Sequence, residues 1–324
     1  MQGAPMCSAR SSIAILGATL LSCSAATAGP LEDAFSRAID NNLSGALAVL
    51  GLSAVPSETA STLFLDTDTS SGEETFDFQQ GQFGGGFRWS ESIPIYMEGF
   101  IGWSRYDPLL VFSDGVENAQ VPLKWTNVSA TGGIGYEFDL SEYWVLRPQF
   151  HISLGRIQTD LSVGAQLIAN RLGLDAETLI NGGVWAGGVG GSLALGYNRR
   201  WDNDWELDFN LRHTHIYIEP VAGDKELVGS ADAITSTLWT RLRQPTGYEA
   251  FNRPIRLVYE ASGSYLPGDQ GDVLATEWLA QVGFGGEIDL EETWVPWVTT
   301  TRLVARYTRG ESLEGFSIGL AASF

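Results

Sequence analysis

Three histidines, His151, His213 and His215, are the side chains of this 324-residue chain best suited to moving protons near neutral pH. Hydrolysis would need a nucleophile, a base and an orienting group to converge. His215 with Asp107 or Ser104 is the set that could be imagined, but no motif fixes these residues in space. The chain carries no metal-ligand spacing and no phosphate loop, so no cofactor is expected. Opposite charges are more numerous. Arg147, Arg212, Arg241, Arg256, Arg302 and Arg306 recur in the same segments as Glu98, Glu137, Asp208, Glu260, Glu277 and Glu287. Unpaired charges are costly in a confined interior, so if these groups share one they should pair into a ladder. The alternative is a selectivity lining for an ion or small solute.

Composition narrows the partners. There are 39 Asp plus Glu against 19 Lys plus Arg, a net charge of −20, so nucleic acid, which requires clustered cations, is not an expected partner. Gly at 38 and Trp at 11 are abundant, and charged residues are 18%, modest for a soluble surface. At the N-terminus Arg10 precedes an apolar run, Ile13 to Leu21, and Ala26-Thr27-Ala28 supplies a small-residue cleavage site before Gly29. This reads as an export signal over 1–28, cut between Ala28 and Gly29; acylation at Cys23 is the rival. Cys7 and Cys23 both lie in that segment, so the mature chain is expected to hold no thiol and no disulfide.

The rest alternates with a period of two. In WVLRPQFHISLG, Leu146, Pro148, Phe150, Ile152 and Leu154 share one face, and Arg147, Gln149, His151 and Ser153 the other. The same pattern runs through WELDFNLRHTHIY, IRLVYEASGSY, EWLAQVGFGGEIDL and VTTTRLVARYTR. These segments exceed the usual five or six residues of a soluble strand and suit tilted strands crossing a bilayer. In such a barrel the apolar face meets lipid and the polar face a wet lumen. Short turns alternate with long acidic connections. Trp89, Trp144, Trp201, Trp205, Trp294 and Trp297 gather at the short-turn end, as an aromatic girdle would. The strands are expected at 59–67, 75–90, 93–106, 121–139, 143–158, 184–199, 204–219, 232–244, 254–266, 273–290, 294–309 and 313–324. A parity shift between Phe78 and Phe83 suggests a bulge near Gly81.

The expected fold is therefore all-β, a transmembrane antiparallel barrel of about twelve strands over 59–324. Residues 29–58 precede it, where Leu31, Phe35, Ile39 and Leu43 predict an amphipathic helix across 31–50. Inward positions are unusually small at Ala186, Gly188, Gly190, Ser192, Ala194 and Gly196, and at Ser129, Thr131, Gly133 and Gly135. They leave room for that helix in or below the lumen.

The twelve strands, the preceding helix, the glycine-rich inward faces and the terminal run Phe316, Ile318, Leu320, Phe324 resemble the translocator barrel of autotransporters. With about thirty residues between signal and first strand, the chain is similar to the solitary, passenger-less members of that group. The resemblance implies an integral outer-membrane protein of a Gram-negative bacterium, porin-like in build, non-enzymatic and structural or surface-acting. It also implies contacts with lipid and lipopolysaccharide, recognition of the C-terminal strand by the barrel-assembly machinery, and a monomer. Divalent cations would bridge the acidic loops to the lipopolysaccharide. Asn41-Asn42 resembles the paired asparagines at which some autotransporters cut their own helix, with Glu98, Glu137 or Glu277 as the carboxylate; a helix cap or turn is the other reading. A narrow channel for ions or small polar solutes is the alternative function, and an outer-membrane hydrolase the third.

Overall fold

The computed structural model describes residues 45–58, 62–66, 76–90, 92–113, 118–161, 183–222, 229–250, 253–289, 300–311 and 313–323. A helix, α1, occupies 45–54. The strands are β1 (Thr62–Asp66), β2 (Phe76–Arg88), β3 (Ile95–Ser113), β4 (Asn118–Tyr136), β5 (Phe138–Asp139), β6 (Trp144–Leu161), β7 (Gly183–Arg200), β8 (Glu206–Ala222), β9 (Ala231–Ala250) and β10 (Arg253–Tyr265). After a short helix α2 (Asp269–Leu274) come β11 (Trp278–Asp289), β12 (Thr300–Arg309) and β13 (Glu314–Ser323).

Every pairing is antiparallel, and the sheet closes on itself. Strands consecutive in sequence bond to each other except at β5, which pairs with β6 alone; β4 pairs directly with β6, and β1 with β13 through Phe64 opposite Phe316. The two-residue β5 continues the β4–β6 hairpin beyond Glu137. Among the described residues twelve strands thus form a closed ring, with β5 a short extension at one rim.

The alternation is inside out for a water-soluble protein. Along β6, Phe150, Ile152 and Leu154 are exposed on the outer wall, Ile152 by 61%, whereas Gln149, His151 and Ser153 are buried. Along β8, Leu211, His213, His215 and Tyr217 face out, and Asp208, Asn210, Arg212 and Thr214 face in. On β13 Phe316, Ile318 and Leu320 are exposed by more than 60%, while Ser317 is buried. A polar interior behind an apolar wall is stable only where the wall's surroundings are themselves apolar. Among the described residues no helix is long and apolar enough to cross a membrane.

The structure departs from the sequence reading in four places. Residues 107–120, expected as a loop, mostly extend β3 and β4, whose pairing runs on to Ser113 opposite Asn118. The strand expected from 273 begins at Trp278, because 269–274 form α2. β9 runs to Ala250, six residues beyond its expected end. The bulge near Gly81 is not formed, since β2 holds an unbroken register against β3. Phe78 points inward, not outward, to pack on α1, and Gly81 is small because the indole of Trp103 lies over it; a Cβ there would stand 2.1 Å from Trp103 Nε1. The expected cleavage site Ala28–Gly29, the pair Asn41-Asn42, Trp294, Trp297 and Phe324 lie outside the described residues. Trp89 and Trp144 are exposed at the short-turn end, and Trp201 and Trp205 flank the β7–β8 turn.

Candidate functional site

The stretch GALAVLGLSA is apolar nearly all round, and such a helix needs cover on every side. It finds that cover inside the ring. Ala46, Leu47 and Leu50 pack with Trp125, Ile157, Ala186, Ile216, Ile218 and Ala233 from β4 and β6 to β9. On the other side Val49 and Leu52 meet Phe78, Leu266, Leu274 and Leu313. Leu47 and Val49 are wholly buried. Close approach needs small groups. A Cβ on Gly51 would lie 2.7 Å from Cβ of Ala233, one on Gly102 2.3 Å from the Ser53 carbonyl, and one on Gly155 2.5 Å from Leu50. Of the helix anticipated across 31–50, only 45–50 are described; they lie inside the lumen and the helix runs on to residue 54, whereas Leu31, Phe35, Ile39 and Leu43 lie outside the described residues.

The end of α1 is held by the wall. The last carbonyls of a helix have no partner within it and must find one elsewhere. Here Gln80 Nε2 donates to Leu52 O at 2.8 Å, and Thr131 Oγ1 to Ala54 O at 2.7 Å. Gln82 Nε2 donates to both Ser53 O (3.1 Å) and Val55 O (2.8 Å), while its Oε1 accepts from the Ser57 N–H at 3.0 Å. Ser53 Oγ lies 2.9 Å from Ser129 Oγ. Beyond the helix, Glu58 Oε1 accepts from Asn210 Nδ2 at 2.5 Å and stands 3.7 Å from Arg212. On the long-loop side α2 packs against the start of α1, Leu274 with Val49. Its Gln270 is fully buried and accepts from Thr235 Oγ1 at 3.1 Å, and Val273 lies against Gly45.

Toward the short-turn end the lumen is crossed by the charge ladder. Arg147 binds Glu137 at 2.5 Å, with Arg88 3.6 Å from the same carboxylate. Glu98 takes Arg212, and His151 Nδ1 lies 3.5 Å from it. Asp208 takes Arg241 (2.5 Å) and Arg243. Arg256 bridges Glu206 (3.2 Å) and Glu287 (2.5 Å); Arg302 lies between Glu287 (3.1 Å) and Glu260 (3.7 Å); Arg306 ends on Glu260 at 2.6 Å. Arg147, Arg212, Arg241, Arg256, Arg302 and Arg306 each take part in these ion pairs, as do Glu98, Glu137, Glu260 and Glu287. Glu277 is not: it has the inward parity but sits one residue before β11 begins, exposed at the mouth and in none of the ion pairs among the described residues. The reading from sequence passed over Glu206 and Arg243, which its own rule reaches, each being two residues from a ladder member on the same face.

The histidines do not assemble an acid–base set with Asp107 or Ser104. Asp107 pairs with Arg105 at 3.1 Å, and Ser104 is buried, accepting from Asn127 at 3.3 Å. His151 is buried in the lumen against Ser192 (2.9 Å), Glu98 and Arg212, not beside Arg147. His213 Nδ1 stands 2.8 Å from Ser236 Oγ and His215 Nε2 2.6 Å from Asp232 Oδ1, two separate pairs on the outer wall. No group of three or more metal-ligating side chains gathers among the described residues.

A closed ring with an apolar exterior, a salt-bridged interior and a helix in its bore defines an outer-membrane type of β-barrel. Solved structures similar to it include the β domain of the Bordetella autotransporter BrkA, 14% identical, covering 82% of this chain and 98% of that one at a TM-score of 0.47. The translocator domain of autotransporter NalP from Neisseria meningitidis is 13% identical over 90% of this chain and 98% of that one, at 0.44. The KdgM porin in complex with disordered oligogalacturonate is 10% identical over 82% and 99%, at 0.35. No protein-family model matches the chain, and no curated protein sequence does.

Proposed function

We propose that this is an integral outer-membrane protein of autotransporter-like build and that it serves a structural or surface role in a Gram-negative bacterium without catalysis. The observation that carries this reading is the capping of the last carbonyls of α1 by Gln80, Gln82 and Thr131 of the wall. A bore whose side chains are committed to holding its own plug is not built for bulk flow. In this reading residues 1–28 are a removed export signal, 29–58 the plug and its linker, and 59–324 the barrel. The outward Phe316, Ile318 and Leu320, with Phe324, form the signal for barrel assembly. Lipid and lipopolysaccharide surround a monomer.

A second reading, a narrow channel for small polar solutes, is favoured by a cavity of about 160 Å³ left beside α1. Single-channel conductance in planar bilayers separates the two. Full-length protein should be silent, and a version lacking 29–55 should conduct. Steady, ion-selective current through the intact protein would establish the channel instead.

A further inference from the structure

The ring closes through β1, and that seam is short. Thr62–Asp66 pair with Gly81–Asp77 of β2 on one side and with Ile318–Glu314 of β13 on the other. Both neighbours run on toward the short-turn end without β1. Among the described residues, Gln82–Arg88 pair only with β3 and Gly319–Ser323 only with β12, and no pairing joins β2 to β13. Carried four residues back from Thr62 and Gly81, the register would set Glu58 opposite Gly85. Glu58 is instead in the bore, its Oε1 2.5 Å from Asn210 Nδ2 of β8. β8 stands six strands from β1 in either direction round the ring, directly across the bore. The chain before β1 therefore leaves Gly85–Arg88 without a partner on that side.

What remains is a slot one strand wide, roughly 9–10 Å at twice the strand spacing. Gly85, Gly86 and Phe87 are exposed in succession, where a strand flanked on both sides hides alternate residues. Natural sheets blunt a free edge with proline, charge or a bulge. Gln82 to Phe87 and Gly319 to Ser323 contain no proline and no charge, and β2 keeps an unbroken register there. On the outer face Phe83, Phe87 and Leu320 are exposed. The edges thus lie in the apolar band, where unpaired backbone is not tolerated. On the inner face a Cβ on Gly86 would collide with the Tyr96 hydroxyl, and one on Gly319 with the Arg306 guanidinium. From these observations we infer that the slot receives one extended segment of a second protein, about five residues long and antiparallel to both edges as β1 is. Its outward side chains are large and apolar and its inward ones small. Only a polypeptide presents donors and acceptors to both edges at the strand repeat, and the segment continues the line of the β1 seam. This goes beyond the structural role proposed above and does not depend on whether the bore conducts.

The test uses full-length protein in lipid nanodiscs and a fluorescent peptide, FSIGLAAS, copied from Phe316–Ser323 and extended by lysines for solubility; its alternation fits the slot. Saturable binding at micromolar concentration is expected by fluorescence anisotropy. The same peptide with N-methyl groups on alternate residues keeps every side chain and loses the donors to one edge, so it should bind at least about tenfold more weakly. A benzophenone placed on Gly85→Cys should capture the peptide, and one on Ile152→Cys, elsewhere on the outer wall, should not. Folding of each variant is checked by its heat-modifiable gel mobility. The inference is overturned if binding does not saturate below about 100 μM, if the N-methylated peptide binds equally well, which marks apolar adsorption, or if both sites capture alike. Capture of a second barrel at Gly85→Cys in place of the peptide also overturns it and assigns the seam to self-association. Conductance of the same preparations reads the plug separately, so a silent barrel that takes no peptide sinks only the slot.

Discussion

At the scale of single residues the lumen is an electrostatic problem solved locally. Glu287 has no exposed side-chain surface and serves three arginines, Arg256 at 2.5 Å, Arg302 at 3.1 Å and Arg243 at 3.9 Å. A buried ion pair gains little over an apolar pair, yet breaking one strands the partner's charge at a cost of about 3–5 kcal/mol. Glu287→Gln keeps the shape and removes the counter-charge. It should lower the urea midpoint of unfolding sharply, with a loss in that range. The control is Asp204→Asn, at an exposed pair with Arg200 (2.7 Å) where φ is +61°. Asparagine tolerates that left-handed backbone, and exposed pairs of this kind contribute little, so the midpoint should not move. Equal effects at both sites would show that the ladder does not stabilise the barrel.

At the scale of elements, α1 and the wall are fitted to each other by side chains far apart in sequence. Gln82 alone makes three hydrogen bonds to residues 53, 55 and 57. Gly102 admits the Ser53 carbonyl at a place where any Cβ would collide with it. Gly102→Val should therefore evict the end of the helix while leaving the ring paired, because the valine would still sit in a strand. We expect Gly102→Val to raise open-channel events in bilayers and to expose residues 45–58 to protease, with the barrel band unchanged on gels. A closed, protease-resistant Gly102→Val protein would mean that α1 is held from elsewhere. This cradle also marks the limit of what the sequence reveals. Strand count, facing and ladder follow from period-two alternation, which by itself puts Arg212 and Glu98 in one lumen. Of the small residues read as room for a helix, Ser129 and Thr131 of β4 and Ala186 of β7 meet α1, whereas a Cβ on Gly133, Gly188 or Gly190 would meet other groups of the wall. Which glutamine caps which carbonyl could not be read, because the meeting of Gln82 with Val55 depends on ring closure and not on any local pattern. Glu277 failed for a local reason: its parity was right, but 269–274 form α2 and β11 begins only at Trp278.

At the scale of the whole molecule the barrel is inverted relative to a water-soluble protein. The strands are 10 to 20 residues long except for β1 and β5, and an 18-residue strand such as β6 outruns the 9–11 residues that span a bilayer when tilted. The wall must therefore project beyond the lipid, and only a middle band needs to be apolar. Ile152 and Ser153 are neighbours on β6 with opposite fates, one 61% exposed on the outer wall and the other 6% exposed in the lumen. The two native cysteines, Cys7 and Cys23, fall within the expected export signal, so a single introduced thiol reports on its own site. In reconstituted protein, Ile152→Cys carrying a fluorophore should be quenched by brominated lipid tails and should resist water-soluble maleimide before labelling. Ser153→Cys should resist both reagents while α1 is in place, and should react with the water-soluble one once residues 29–55 are removed. If Ile152→Cys is instead modified from water and untouched by lipid quencher, the apolar band faces a protein partner or a second copy of this chain. The barrel's exterior would then be an interface and not a lipid boundary.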